Sequence, residues 1–297
     1  MKAVEILRPG PLCTVQDRGR PGHASIGVGR SGAADLRSHD AANRLVGNTV
    51  DAATLEATMG GVLIRMQGSV AVAVTGASGR ITVNGIAGAM YNTLYLSDGD
   101  ELSVATPTSG LRSYIAVRGG FDVATVLGSR STDTLSGLGP APLTEGDVLA
   151  IGDAQSHWPA TELAPPPDRT GHIEVSVNLG PRQDWFTSEA LHVLASQIWT
   201  ATSESNRVGV KLDGRTPLER AWTDELLSEG MVPGALQVPP NGKPVLFLAD
   251  HPVTGGYPVI AVVRDTDLPS IGQLRPGDSI RFRVHQPRWG VPSYRRR

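Results

Sequence analysis

The sequence predicts an all-β protein of two domains, and three observations point there. Short β-branched runs alternate with turn signals along the 297-residue chain, glycine and proline are abundant at 35 and 22, and one proline-rich stretch separates two halves of similar texture. A chain of this length exceeds a typical single core of about 100 to 200 residues, so two cores are expected.

In the first half the strand candidates are Val70–Thr75, Gly79–Val83, Leu94–Leu96, Glu101–Val104 and Ser113–Val117, with Cys13 also in a strand-like run. The spacing predicts one helix there, from a capping-competent Asp35 to Val46 before Gly47-Asn48, with Arg37, Asp40 and Asn43 on its polar face. The second half repeats the texture in Ile173–Asn178, Val245–Leu248, Val259–Val263 and Ser279–Val284. A helix is expected over Ser188–Trp199, where Leu191, Leu194, Ala195, Ile198 and Trp199 recur behind a Thr187/Ser188 cap. A turn device recurs before ELSV, VLAI and SIRFRV: Asp98-Gly99-Asp100, Glu145-Gly146-Asp147 and Pro276-Gly277-Asp278. Glycine supplies the positive φ and aspartate accepts local backbone hydrogen bonds. The domains are therefore residues 1–152 and 172–297, joined by a semi-rigid linker, 153–171, that carries four prolines.

Composition excludes several function classes. A formal charge of −2 without a concentrated basic face argues against nucleic acid as partner, and no apolar run approaches the roughly 18 residues of a membrane span. The start, MKAVEILRPG, lacks a secretory pattern, so a cytoplasmic location is expected. Cys13 is the one cysteine, which rules out an internal disulfide and a cysteine-based zinc site; it reads as core filler. Lysines occur only at 2, 211 and 243, none in a Met-Lys-Met-like hairpin, so biotin is not expected on this chain. The basic triplet Arg295–Arg297 reads as a frayed end.

No phosphate-binding G-x-x-x-x-G-K-[ST], no dinucleotide G-x-G-x-x-G in a strand–helix context, no H-E-x-x-H and no G-x-S-x-G occurs, and no metal site is expected. Polar density instead concentrates where glycines allow close approach. Gln16, Asp17, Arg18 and Arg20 put two guanidinium forks around Gly19, suited to a carboxylate or phosphate, or to a self-paired loop. Ser205, Asn206 and Arg207 offer hydroxyl, amide and guanidinium in a row, to bind an anion or to tie a turn. Glu229 is a candidate general base or metal-phosphate ligand, or a turn cap, and Arg130 sits among hydroxyls in Gly128–Asp133, to bind an anion or to tie a domain-edge turn. The strongest cluster follows the apolar run VLFLA: Asp250 and His251 as an acid/base pair, then Thr254, Gly255, Gly256 and Tyr257.

In order, RPGPLCTVQDRGRPGHASIGVGRSGAAD, AANRLVGN, LEATMGG, GGFDV with VLGSRSTDTLSGLGP, SNRVGVKLDG, SEGMVPGALQVPPNGKPVLFLADHPVTGGYPVIAVV and QLRPGD resemble one family across nearly the whole chain. It is the family of the 5-oxoprolinase C subunit, also called allophanate hydrolase subunit 2 or biotin-dependent carboxyltransferase-like, and it includes the antagonist of a sporulation kinase inhibitor. The resemblance implies two tandem cyclophilin-like β-barrels and a companion subunit of the inhibitor-like family (the 5-oxoprolinase B subunit, or allophanate hydrolase subunit 1). It implies a heteromeric hydrolase that uses ATP with Mg2+, at the level of the complex, on a small amide, 5-oxoproline. Carboxyl transfer to urea or another small amide, and regulatory binding of a kinase-inhibitor-like partner, are its alternatives. Replacing Arg207 or His251 by alanine is expected to lower turnover without unfolding the protein.

Overall fold

The computed structural model describes residues 2–153, 158, 161–166 and 173–285. Its first half holds β1 (Ala3–Pro9), β2 (Leu12–Gln16), β3 (Thr54–Thr58), β4 (Val62–Gln67), β5 (Val70–Ser78), β6 (Ile81–Val83), β7 (Ile86–Gly88), β8 (Thr93–Leu96), β9 (Glu101–Val104), β10 (Ser109–Val117) and β11 (Val148–Ala150). They form two sheets, ordered β11-β1-β4-β9-β6-β7 and β2-β3-β10-β5-β8. Alternate side chains meet between the sheets: Val4 and Ile6, Cys13 and Val15, Leu55 and Ala57, Ile64 and Met66, Val72 and Val74, Ile115 and Val117. Each such burial contributes roughly 1.5–3 kcal/mol for the larger side chains. Cys13 is one of these core residues, and burial pushes its thiol up to about 12.

β5 is apolar on both faces because both are covered. Its valines point inward, while Ala73, with Tyr114 and Ala116 of β10, receives helix α1 (Leu36–Leu45). The Asp35 carboxylate caps α1, accepting from Ser38 N (3.0 Å) and Ser38 Oγ (2.6 Å), and Gly47 at φ 69° follows its end. Asn43 is not on the exposed face: it is buried with its Nδ2 donating to Ala52 O (2.8 Å), because the loop after α1 folds back over it.

The second half holds β12 (Ile173–Leu179), β13 (Trp199–Ala201), β14 (Gly209–Asp213), β15 (Glu229–Gly230), β16 (Ala235–Gln237), β17 (Val245–Phe247), β18 (Thr254–Gly255), β19 (Val259–Val263) and β20 (Ser279–Val284). Seven of them close into a barrel, β12-β19-β16-β17-β14-β13-β20, and β15 with β18 makes a separate ribbon. Helix α2 runs Ser188–Ser196 behind the Thr187 cap, so it ends sooner than its periodicity suggests. Gln197 is extended, Trp199 opens β13 fully buried, and Ile198 is exposed. Leu194 and Trp199 both face the core, one from a helix and one from a strand, and their spacing cannot distinguish the two. Helix α3 is a single turn, Leu268–Ile271.

The turn device takes one form in all three places. Gly99, Gly146 and Gly277 have φ of 81°, 90° and 92°, and Asp100, Asp147 and Asp278 accept from the backbone N–H three residues earlier at 2.7, 2.7 and 2.8 Å. Most of the expected linker, and the Arg295–Arg297 tail, lie outside the described residues. The described part follows the first half, with Thr93 N donating to Glu162 O (2.9 Å) and Ala164 N to Tyr91 O (3.0 Å). Among the described residues no helix is long and apolar enough to cross a membrane.

Candidate active site

The two halves meet through polar groups that water does not reach. Gln273, 1% exposed, accepts from Leu111 N and Arg112 N (2.9 Å each) and donates to Asp35 Oδ2 (2.8 Å) and Arg112 O (2.9 Å). Beside it, β14 pairs with β17 in the register Gly209↔Phe247, which sets the turn before β14 next to the loop after β17. Arg207 and Asp250 are thereby neighbours: Asp250 N donates to Arg207 O (3.1 Å), and the guanidinium returns a fork, Nε to Oδ2 (2.9 Å) and Nη2 to Oδ1 (3.0 Å).

Both residues then reach across the junction. Arg207 donates to Glu56 Oε1 of β3 and to Gly32 O (2.6 Å). Asp250 accepts from Ser31 Oγ (2.7 Å), Thr134 N (2.9 Å) and Thr134 Oγ1 (2.7 Å). Glu56 is held further by Tyr114 Oη (2.8 Å), Ala34 N (2.9 Å) and Arg112 Nε at 3.3 Å. Arg207, Glu56, Asp250 and Arg112 are all at most 2% exposed. Burial, the largest single influence, would push Glu56 and Asp250 up, but the charge of Arg207 together with Arg112 at Glu56 and the hydrogen bonds both carboxylates accept outweighs it, so both sit below their ordinary values. Burial opposes the charge on Arg207 too, and Glu56 with Asp250 overcomes it, leaving the guanidinium more firmly protonated. Ser31 adopts φ 54° to bring its hydroxyl to Asp250, a left-handed conformation that costs a non-glycine residue energy.

His251 continues the same loop into different surroundings. It lines a cleft of about 210 Å³ with Arg20, His23, Val28, Arg30 and Met231. A second cleft of about 530 Å³ shares Arg30 and Pro233 with the first and adds Arg18 over an apolar floor that includes Leu36, Phe247 and Leu268. Burial lowers the His251 imidazole below its ordinary value, against the opposing pull of the Pro252 carbonyl, Asp250 and Asp133.

The remaining candidates are dispersed. Asp17 ties the neighbouring loop, accepting from Gly19 N (2.8 Å), Ser129 Oγ, Ser131 Oγ and Arg130 N (2.6 Å each). Gln16 Nε2 donates to Thr132 O (2.9 Å) and Thr14 Oγ1 (3.0 Å). Arg20 is buried, donating to Ser131 O and Val126 O, with Nη1 lacking a hydrogen-bond partner and 4.0 Å from Asp133 Oδ2. Arg18 pairs with Asp40 (2.8 Å) and Arg130 with Asp122 (3.2 Å). Ser205 Oγ accepts from Lys211 N (3.2 Å) and Asn206 Oδ1 from Val208 N and Gly209 N (2.8 and 3.2 Å), so both close the turn that presents Arg207. Glu229 pairs with Arg182 on the ribbon, opposite Gly255, and Thr254 is exposed there; Gly256 follows. Tyr257 is 45% exposed, with the Arg220 guanidinium 5.6 Å from its ring.

The fold thus brings together Arg207 with Asp250 and Arg20 with His251, and leaves Arg130 and Glu229 in separate pairs. Four contributors escape motif reading: Glu56, Ser31, Thr134 and Arg30. Arg30 had a signal in Gly29-Arg30-Ser31-Gly32, which repeats the arginine–glycine texture of Arg18-Gly19-Arg20. Among the described residues no group of three or more His, Cys, Asp or Glu side chains is placed to hold a metal ion.

Comparison with known proteins agrees with this build. The family described as carboxyltransferase domain, subdomain A and B, matches residues 26–284. The 5-oxoprolinase C subunit of Escherichia coli (strain K12) is 35% identical over 282 residues, 94% of this chain and 90% of that protein. The urea amidolyase of Saccharomyces cerevisiae is 34% identical over 309 residues, covering 94% of this chain but 16% of that protein. The crystal structure of the K. lactis urea amidolyase superposes with a TM-score of 0.89 at 32% identity, over 96% of this chain and 19% of that one. The likeness runs through both halves, and the chain belongs to the family of carboxyltransferase domains, subdomain A and B.

Proposed function

We propose that the chain is the carboxyltransferase-family subunit of a heteromeric, ATP-dependent 5-oxoprolinase, working with a companion of the inhibitor-like family, that of the 5-oxoprolinase B subunit. The observation that carries this is the likeness to a 5-oxoprolinase C subunit along 90% of that protein's length. A lactam is a resonance-stabilised amide, and ATP supplies the phosphoryl group that turns its oxygen into a leaving group. This chain's own residues contribute an anion contact and a proton acceptor. Arg30 is exposed where the two clefts join, and its planar guanidinium suits the carboxylate of 5-oxoproline or a phosphate oxygen. His251 stands in the same cleft as the acid/base group. Magnesium is usually held by one or two carboxylates plus substrate phosphates and water, so ATP with Mg2+ is assigned to the complex and not to a cage of this chain's residues.

The test is phosphate release by the chain purified with its companion subunits, with 5-oxoproline present and absent. Lactam-stimulated release is expected. Arg30→Ala should weaken it through KM, by roughly 10-fold or more for one lost charged hydrogen bond of about 1.5–3 kcal/mol. A second reading, carboxyl transfer to urea or another small amide, is favoured by the urea amidolyase likeness. Carboxylation of urea in the presence of a biotinylated carrier, with no lactam-stimulated release, would replace the first reading with the second.

A further inference from the structure

The adjacent residues Asp250 and His251 suggest a carboxylate–imidazole pair, yet the geometry separates them. The Asp250 oxygens accept five hydrogen bonds, two from Arg207, two from Thr134 and one from Ser31. A carboxylate has about four lone-pair sites, so none remains to orient or relay a proton. The His251 ring is oriented elsewhere: its Nδ1 lies 2.8 Å from the Pro252 carbonyl oxygen. A carbonyl can only accept, so the proton of the neutral ring belongs on Nδ1 and the lone pair on Nε2. Among the described residues Nε2 has no hydrogen-bond partner.

We propose that the two residues have separate tasks: Asp250 is a positioning residue, bound into the interdomain clamp to fix the loop, and His251 is the neutral Nδ1–H tautomer whose Nε2 accepts a proton from a bound O–H or N–H group in the cleft. This rests on the reading of the cleft as a catalytic site. The charged and titratable groups around the ring are Arg20, Arg30 and His23 across the cleft and Asp250 and Asp133 beside it. Burial, the largest influence, keeps the imidazole below its ordinary value, so it is unprotonated at neutral pH and available as an acceptor.

The deciding measurement is 15N NMR of the ring nitrogens in histidine-labelled protein, with His251→Gln used for assignment. A protonated-type Nδ1 and a bare-type Nε2 are expected, and an Nε2–H ring overturns the proposal whether or not the complex turns over 5-oxoproline. The second measurement is kcat/KM of the complex against pH. An acid limb matching the NMR titration of His251, absent in His251→Gln and kept at a lower plateau in Asp250→Asn, is expected. An acid limb that persists in His251→Gln overturns it, as does one lost only in Asp250→Asn. Should Asp250→Asn fail to fold, the wild-type spectrum and the His251→Gln profile still decide. A complex with no lactam-dependent activity but the expected tautomer would sink the functional reading alone.

Discussion

Two arginine–carboxylate pairs of the second half, Arg207–Asp250 and Arg182–Glu229, use the same groups in opposite surroundings. The first is at most 2% exposed and bridges the two halves, while the second has side chains 37% and 27% exposed and ties a surface ribbon. In water a guanidinium released from its partner is simply hydrated, so an exposed pair stabilises by only about 0–1 kcal/mol. At the junction the partner left behind stays buried and charged, so breaking the pair costs about 3–5 kcal/mol. The lesson is that a motif such as Asn206-Arg207 has its consequences set by what the chain places over it.

The largest effect is therefore expected from Arg207→Ala, which leaves Asp250 buried without its guanidinium partner and Glu56 with Arg112 alone. Denaturation in urea should show a loss of about 3–5 kcal/mol. This corrects the sequence-based expectation that the substitution spares the fold, because Arg207 is a buried crosslink. The substitution should also change the acid limit of stability. Glu56 and Asp250 have folded-state values below their unfolded ones, so their contribution is full above the unfolded values and is lost as pH falls through the folded ones. Without Arg207 both carboxyls rise, and the midpoint of acid unfolding should move to higher pH. An unchanged acid midpoint would mean that the network is not electrostatically coupled.

A smaller effect is expected from Gly272→Ala, which tests the junction without touching a charge. A Cβ there would lie 2.3 Å from Ala34 O, so the halves would have to part slightly. Overpacking of this kind costs about 1–3 kcal/mol, and a thermal melt should register it. The smallest belongs to Arg182→Ala, at about 1 kcal/mol or less and vanishing in high salt. If Arg182→Ala destabilised as much as Arg207→Ala, burial would not be the property that separates the two pairs.

Much of this molecule is legible in local pattern. Alternating valines mark β5, the glycine–aspartate turns before β9, β11 and β20 keep one geometry, and Asp35 caps α1 as its chemistry demands. The juxtaposition of the Asn206 turn with the loop after Leu248 was also within reach, since both flank strands of one barrel. β1 and β4 are harder to see, because their outer faces are charged: Arg65 bonds Glu5 and Glu101 on the flanking strands, at 3.3 and 2.8 Å. Charged residues interrupt the β-branched runs that would reveal them.

Glu56 shows where local pattern stops. In TLEAT the apolar Leu55 and Ala57 point to the core, so period two assigns Glu56 to the other face, which in isolation reads as solvent. The sequence alone settled the glycine–aspartate turns, the helix caps and the mainly β class, since these depend on neighbours within a few residues, whereas β3 itself was not among its strand candidates. Only the tertiary structure decided that the second half covers that face and that Arg207, 151 positions away, neutralises the carboxylate. Alternation records which side of a strand a group lies on; what lies against that side is fixed by long-range packing, which no local spacing encodes.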